Sequence, residues 1–208
     1  MALVDTNAGR LKETKERLQA ERGLTGLTTS QTLDGAIAHH RERDDPIHLV
    51  CCAAGPAVNE EVIRRAEEFG LQGVYAEKPL TLSLKTADEL AELEGQSRVK
   101  IQVNYLRNHC TTHRAILDYI RAGGLGELLF VRVLYKGGVL AVSPHVIAIL
   151  NLLFGEKPRA VLAGVFSPLE NSRAPTDPNI DAILQYLWQD RNINVMVTAT
   201  GRGSVDFP

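Results

Sequence analysis

Strand-like and helix-like segments alternate through the first hundred residues with only short links between them. That alternation restricts the fold more than any other feature of the chain. Ala2-Leu3-Val4 reads as a short strand ending at Asp5. A charged helix follows from Arg10 to Arg22, with Leu11 and Leu18 on one face. Thr28 to Ser30 is a short edge strand, and Leu33 and Ile37 mark a second helix. The run from His39 to Asp45 reads as its solvated end and a turn. Ile47 to Ala53 is apolar enough to be a strand buried on both faces, as parallel strands are. Asn59 to Phe69 reads as a helix stopped by Gly70, Gly73 to Ala76 as a strand, Leu84 to Leu93 as a helix and Val99 to Val103 as a strand. Repeated β–α–β units of this kind predict a doubly wound parallel sheet.

The second half changes style. A helix over about Thr112 to Ala122 ends at Gly123-Gly124, a strand runs from Glu127 to Tyr135, and a helix from Ser143 to Phe154 stops at Gly155. Three strand candidates then come with little helix between them: Arg159 to Phe166, Ile180 to Trp188 and Asn192 to Thr198. Gln189-Asp190-Arg191 between the last two predicts an antiparallel hairpin. Pro168 to Pro178 reads as a polar loop. The expected architecture is α/β: a partial Rossmann-like parallel sheet over residues 1–106, then an α+β domain with a largely antiparallel open sheet over 107–208.

Composition removes several function classes. Lys plus Arg is 23 and Asp plus Glu 25, a net charge of −2, which leaves no electrostatic footprint for nucleic acid or an anionic membrane. Aromatics are only 5% of the chain, which argues against a base-stacking platform. The three cysteines include no CxxC, so neither a disulfide framework nor a thiolate metal site is expected. The pattern fits a reducing, cytoplasmic setting. The N-terminus has no secretory pattern, and the apolar stretch from Val139 to Phe154 is broken by Ser143, Pro144, His145 and Asn151, so it reads as core rather than as a membrane span.

Three positions carry candidate chemistry. Asp5 closes a strand, where a carboxylate can accept hydrogen bonds from ribose hydroxyls, although an ordinary helix cap is the commoner use of such an acid. Glu77-Lys78-Pro79-Leu80 follows a strand at the end where open α/β sheets bind ligands. Pro79 restricts Lys78 toward an extended backbone, which would aim the ammonium into the crevice as a proton donor or acceptor. The competing reading is a solvated surface lysine. His145 stands at the start of an apolar helix, where the positive dipole end favours a neutral ring able to take a proton. A hydrogen-bonded core histidine is the alternative.

Taken together, CCAAGPAVN, EKPL after a strand, NYLR after the next, GGLGEL before a long strand and KGGVLAVSPH…LLFGE resemble, in order and spacing, the Gfo/Idh/MocA oxidoreductases. The resemblance covers nearly the whole chain. It implies an N-terminal domain binding NAD or NADP, a C-terminal domain supplying a pocket for a sugar- or polyol-like substrate, and a homo-oligomer at full length. Lys78 and His145 take the catalytic positions. Asp5, Arg10, Ala53, Ala54, Pro56, Asn59, Glu77, Lys78 and Arg107 match positions along the cofactor, and no metal is implied. Departures accompany the match. Asn59 replaces a family histidine, Ala54 a threonine, and Ala141 and Ala148 stand where relatives carry polar groups.

The family pattern also has a first strand, a GxGxxG turn and a helix, roughly 25–30 residues, ahead of the strand ending at Asp5. The first strand is central in the order 3-2-1-4-5-6. Without it, the Asp5 strand and the Ile47 to Ala53 strand either pair directly or keep two unpaired edges. Two readings stand beside the enzyme: a non-catalytic binding or regulatory member of the family, and a truncated fragment.

Overall fold

The computed structural model describes residues 1–139, 142–164 and 180–199. It divides into two compact units, Met1–Asn104 and Tyr105–Pro208. The first runs β1 (Ala2–Val4), α1 (Ala8–Arg22), β2 (Thr28–Ser30), α2 (Leu33–Glu42), β3 (Leu49–Cys52), α3 (Pro56–Arg64), β4 (Gly73–Ala76), α4 (Leu84–Gln96) and β5 (Lys100–Val103). Every strand pair in it is parallel. The strands form two sheets, β1-β2 and β3-β4-β5. Of the two outcomes open for β1 and β3, the second holds: they do not pair, and each keeps one edge without a strand partner among the described residues.

Alternation along the strands decides which residues become core. Val50 and Cys52 share a face with Val74 and Ala76 of the neighbouring strand, in the register Val50↔Val74 and Cys52↔Ala76. That face packs against Ile37 of α2, Val62 and Ile63 of α3 and Leu90 of α4. The opposite face is open. Leu49 is 71% exposed and Tyr75 37%, and Cys51 is exposed too. The expected burial of the 47–53 strand on both faces is therefore corrected. Helices α2, α3 and α4 supply the residues packed on the covered side of this sheet, and on the other side Leu49 lies across Gly73, where an added Cβ would come within 2.9 Å of its Cδ2.

Local signals set the helix ends. Asn7 caps α1 by accepting from the Arg10 N–H at 3.0 Å, and Thr32 and Ser83 do the same for α2 and α4. α3 begins three residues earlier and ends sooner than the pattern suggested. Pro56 suits a first helical turn, and Arg65 leaves the helix to reach Asp34, Glu61 and Glu68 while its guanidinium lies 4.3 Å from the Phe69 ring centroid. The surface reading of 39–45 fails at His40. It is 4% exposed, with Nε2 2.8 Å from Thr28 Oγ1 and Nδ1 3.1 Å from the Asp45 carboxylate, so it ties the end of α2 to β2.

The second unit runs α5 (Leu106–His109), α6 (Thr111–Arg121), β6 (Val131–Tyr135), α7 (Ser143–Phe154), β7 (Ala160–Gly164), β8 (Asp181–Trp188) and β9 (Arg191–Ala199). Its sheet has the order β6-β9-β8-β7 and is antiparallel except for the β6–β9 pair. The expected hairpin joins β8 to β9 through Gln189 and Asp190, both left-handed at φ 49° and 63°, the backbone that a tight two-residue turn requires. The core gathers Tyr135, Leu184, Tyr186, Val195 and Val197 with Leu150 of α7. Phe154 stacks on Tyr186 at 4.3 Å, and burial pushes the Tyr186 hydroxyl up to about 12 while it donates to Asn151 Oδ1 at 2.9 Å. The loop expected over 168–178 and the end of the strand expected to reach Phe166 lie outside the described residues. Among the described residues no helix is long and apolar enough to cross a membrane.

Candidate active site

The carboxyl ends of β1, β3, β4 and β5 carry Asp5, Ala53 to Gly55, Glu77-Lys78 and Asn104. Open parallel sheets bind ligands at these ends. The register Cys52↔Ala76 and Ala76↔Val103 sets residues 53, 77 and 104 side by side as the strands end. Two backbone bonds continue the ladder one step further: Glu77 N–H to Cys52 O and Asn104 N–H to Ala76 O, both 2.8 Å.

Past that step the chain is held by side chains. The Glu77 carboxylate accepts from Asn104 Nδ2 at 2.5 Å and from the Lys78 backbone N–H at 3.3 Å. Asn104 Oδ1 in turn accepts from the Tyr75 hydroxyl at 2.6 Å. The Lys78–Pro79 peptide is cis, and Lys78 is half-buried. Asn59, on α3, is 0% exposed; its Nδ2 donates to Glu77 O at 2.8 Å and Pro79 O at 3.2 Å. Its Oδ1 is buried with no hydrogen-bond partner among the described residues.

At the end of β1, Asp5 accepts from the Asn7 N–H at 2.8 Å and from Arg10 Nη1 at 3.0 Å. The helix cap is Asn7, not Asp5, so the cap reading of Asp5 is corrected, and the two residues expected near the adenosine end of a cofactor form an ion pair with each other. The link from β1 to α1 is Asp5-Thr6-Asn7 and contains no glycine. Ala53 and Ala54 are exposed. Gly55 turns the chain into α3 with φ +105° and ψ 170°, a conformation essentially reserved for glycine, and no side chain caps the N–H groups of that first turn.

In the second unit His145 occupies the first turn of α7, half-buried, with its ring edge-to-face against Tyr105 at 6.2 Å. Burial raises the Tyr105 hydroxyl above its ordinary range. A groove of about 590 Å³ runs along α5 and α7, lined by Tyr105, Asn108, Ser143, Pro144, Ile147 and Ala148 among others. Asn108 Oδ1 is buried there without a partner among the described residues, while Ala148 contributes only a methyl. Arg107 is exposed on α5, and Ala141 lies outside the described residues.

Asn104 opens the NYLR motif and Tyr75 the segment that leads to Lys78, but the sequence alone assigns neither a role in the site, although a signal existed. Once two adjacent parallel strands end in register, the residue after one faces the residue after the other, so Asn104 was bound to meet Glu77.

No family model matches the sequence, and no curated protein matches it. Solved structures match along nearly its whole length. Myo-inositol 2-dehydrogenase from Lactobacillus plantarum superposes with a TM-score of 0.72 at 16% identity, covering 97% of this chain and 62% of that one. An oxidoreductase from Bacillus cereus gives a TM-score of 0.74 at 17% identity over 100% of this chain and 58% of its own. One from Pseudomonas syringae gives 0.71 at 20% identity over 98% and 65%. These three structures share the fold of this chain, which spans 58–65% of their length.

Proposed function

We propose that this chain forms part of an NAD(P)-dependent oxidoreductase acting on a sugar- or polyol-like hydroxyl. The observation that carries the proposal is that Asp5, the Ala53 to Gly55 turn, Lys78 and Asn104 each follow the carboxyl end of a strand paired in parallel. The setting is a fold shared with an inositol dehydrogenase. These residues suit the ribose and nicotinamide portions of a dinucleotide. A glycine-rich turn for its pyrophosphate is not among the links of the first unit. When bound, the dinucleotide accepts or donates hydride. Lys78 and His145 are the residues that hold and move the hydroxyl proton. The Asp5–Arg10 pair bears on cofactor choice. The carboxylate suits a free ribose 2′-hydroxyl, and the guanidinium, 67% exposed, can turn to a 2′-phosphate.

The homo-oligomer belongs to the same proposal. Leu162, Ile183 and Met196 line up across β7, β8 and β9 on the open sheet face and are 71%, 41% and 42% exposed. Three free thiols fit a cytoplasmic setting.

Titrating the chain with NADH and NADPH and following nicotinamide fluorescence tests the reading. Saturable enhancement with either is expected, followed by turnover with a member of a sugar and polyol panel that Lys78→Met removes while binding persists. No fluorescence change with either dinucleotide overturns it. The second reading, a non-catalytic binding member of the family, is favoured by the apolar Ala148 in the groove and by the engagement of Asp5 with Arg10. It is distinguished by binding without turnover.

A further inference from the structure

Asn59 matches a cofactor-side position by resemblance, yet its surroundings leave it no route to a ligand. The side chain is 0% exposed, and its amide nitrogen is committed to two backbone carbonyls. Those carbonyls belong to Glu77 and Pro79, the residues on either side of Lys78. The sheet ladder has ended one step earlier, with Glu77 N–H on Cys52 O, and Pro79 has no N–H to continue it. A segment leaving a ladder would ordinarily be free to shift. Here one planar amide supplies two donors at a fixed spacing and grips the backbone on both sides of the lysine. The acceptor end of the same amide has no partner among the described residues, so it is the donors of Asn59 that hold this segment.

We propose that Asn59 is a positioning residue for Lys78: it sets where the ammonium is presented by clamping the Glu77 and Pro79 carbonyls, and it does not itself contact cofactor. A carboxylate at this position would face two carbonyl oxygens with no donor, and an aliphatic side chain would take the Asn59 donor away from both carbonyls. Either change releases the Lys78 backbone. The proposal rests on the reading of Lys78 as the proton-transfer group, but its test uses neither dinucleotide nor sugar. A failure to bind nicotinamide and a failure of the clamp are therefore separate results.

The test is lysine-by-lysine acetylation of the full chain by N-acetoxysuccinimide, read by peptide mass spectrometry in the parent, Asn59→Asp and Asn59→Leu proteins. Lys78 is expected to change its rate by about threefold or more, the scale of one net hydrogen bond, while the exposed Lys85 and Lys100 keep theirs. An unchanged Lys78 rate in either cooperatively melting variant overturns the proposal. An equal change at all three lysines also overturns it, because that is what a purely structural role produces. A second measurement needs no variant. By NMR on the parent chain, the Asn59 side-chain amide protons should exchange far more slowly than those of the exposed Asn7 and Asn192, and exchange as fast as theirs overturns the clamp.

Discussion

Among the described residues the second unit lays its four strands in one ladder beneath α7, whereas the first has five strands and four helices but is split into two ladders. The difference follows from how each sheet is connected. β8 and β9 are joined by a two-residue turn, so their pairing needs nothing beyond neighbouring sequence, and the strands on either side of that hairpin dock onto its edges. The first unit is wholly parallel, and every pair depends on a crossover through a helix. The contrast lies in the ladders and not in burial, since each sheet packs one face and bares the other: Tyr186 on β8 and Ala76 on β4 are both 0% exposed, and Leu162 on β7 and Leu49 on β3 are both 71% exposed.

The largest test of that contrast is Tyr186→Ala. It removes a fully buried ring, its stack on Phe154 and its hydroxyl bond to Asn151, and is expected to cost about 3–5 kcal/mol. Thermal or denaturant unfolding followed at the second unit reads it. A loss below about 1 kcal/mol breaks the description of this ladder as packed on one core around Tyr186.

Arg65→Met probes how the first unit is held from its surface. Hydrogen bonds from the Arg65 guanidinium, together with its charge, keep the Asp34 and Glu68 carboxyls below the usual carboxylate range. Groups with lowered folded values contribute stability above their ordinary titration range and lose it as pH falls through the lowered one. The variant should therefore melt lower than the parent near neutral pH, and the gap should close below about pH 3. A gap independent of pH would mean that Arg65 acts through its contact with Phe69 instead. The smallest effect is expected from Leu49→Ser, within about 0.5 kcal/mol because the side chain lies on the bare face. A large loss would show that face to be covered in solution.

Much of the fold was legible because the apolar runs and punctuating residues act locally. Gly73–Ala76, the helix at Ser143–Phe154 and the hairpin turn at Gln189-Asp190 all follow from neighbouring residues alone. What escaped depends on distant partners. Ile47 to Ala53 looked buried on both faces because apolar content does not say how many layers of helix are present. His40 looked solvated because its partner Thr28 lies 12 positions away. The candidate site divides in the same way. Lys78 could be picked out from its strand end and the following proline, but the bonds of Asn59 to Glu77 and Pro79 span 18 and 20 positions, and no periodicity announces them.

The adjacent cysteines of β3 give this architecture a chemical readout of its own. Alternation sends Cys51 to the open side and Cys52 into the packed side, where burial raises its thiol. A single strand thus carries one label-accepting sulfur and one shielded sulfur, separated by one peptide bond. The ratio in which an alkylating reagent modifies the two measures, without any mutation, which side of the sheet is covered.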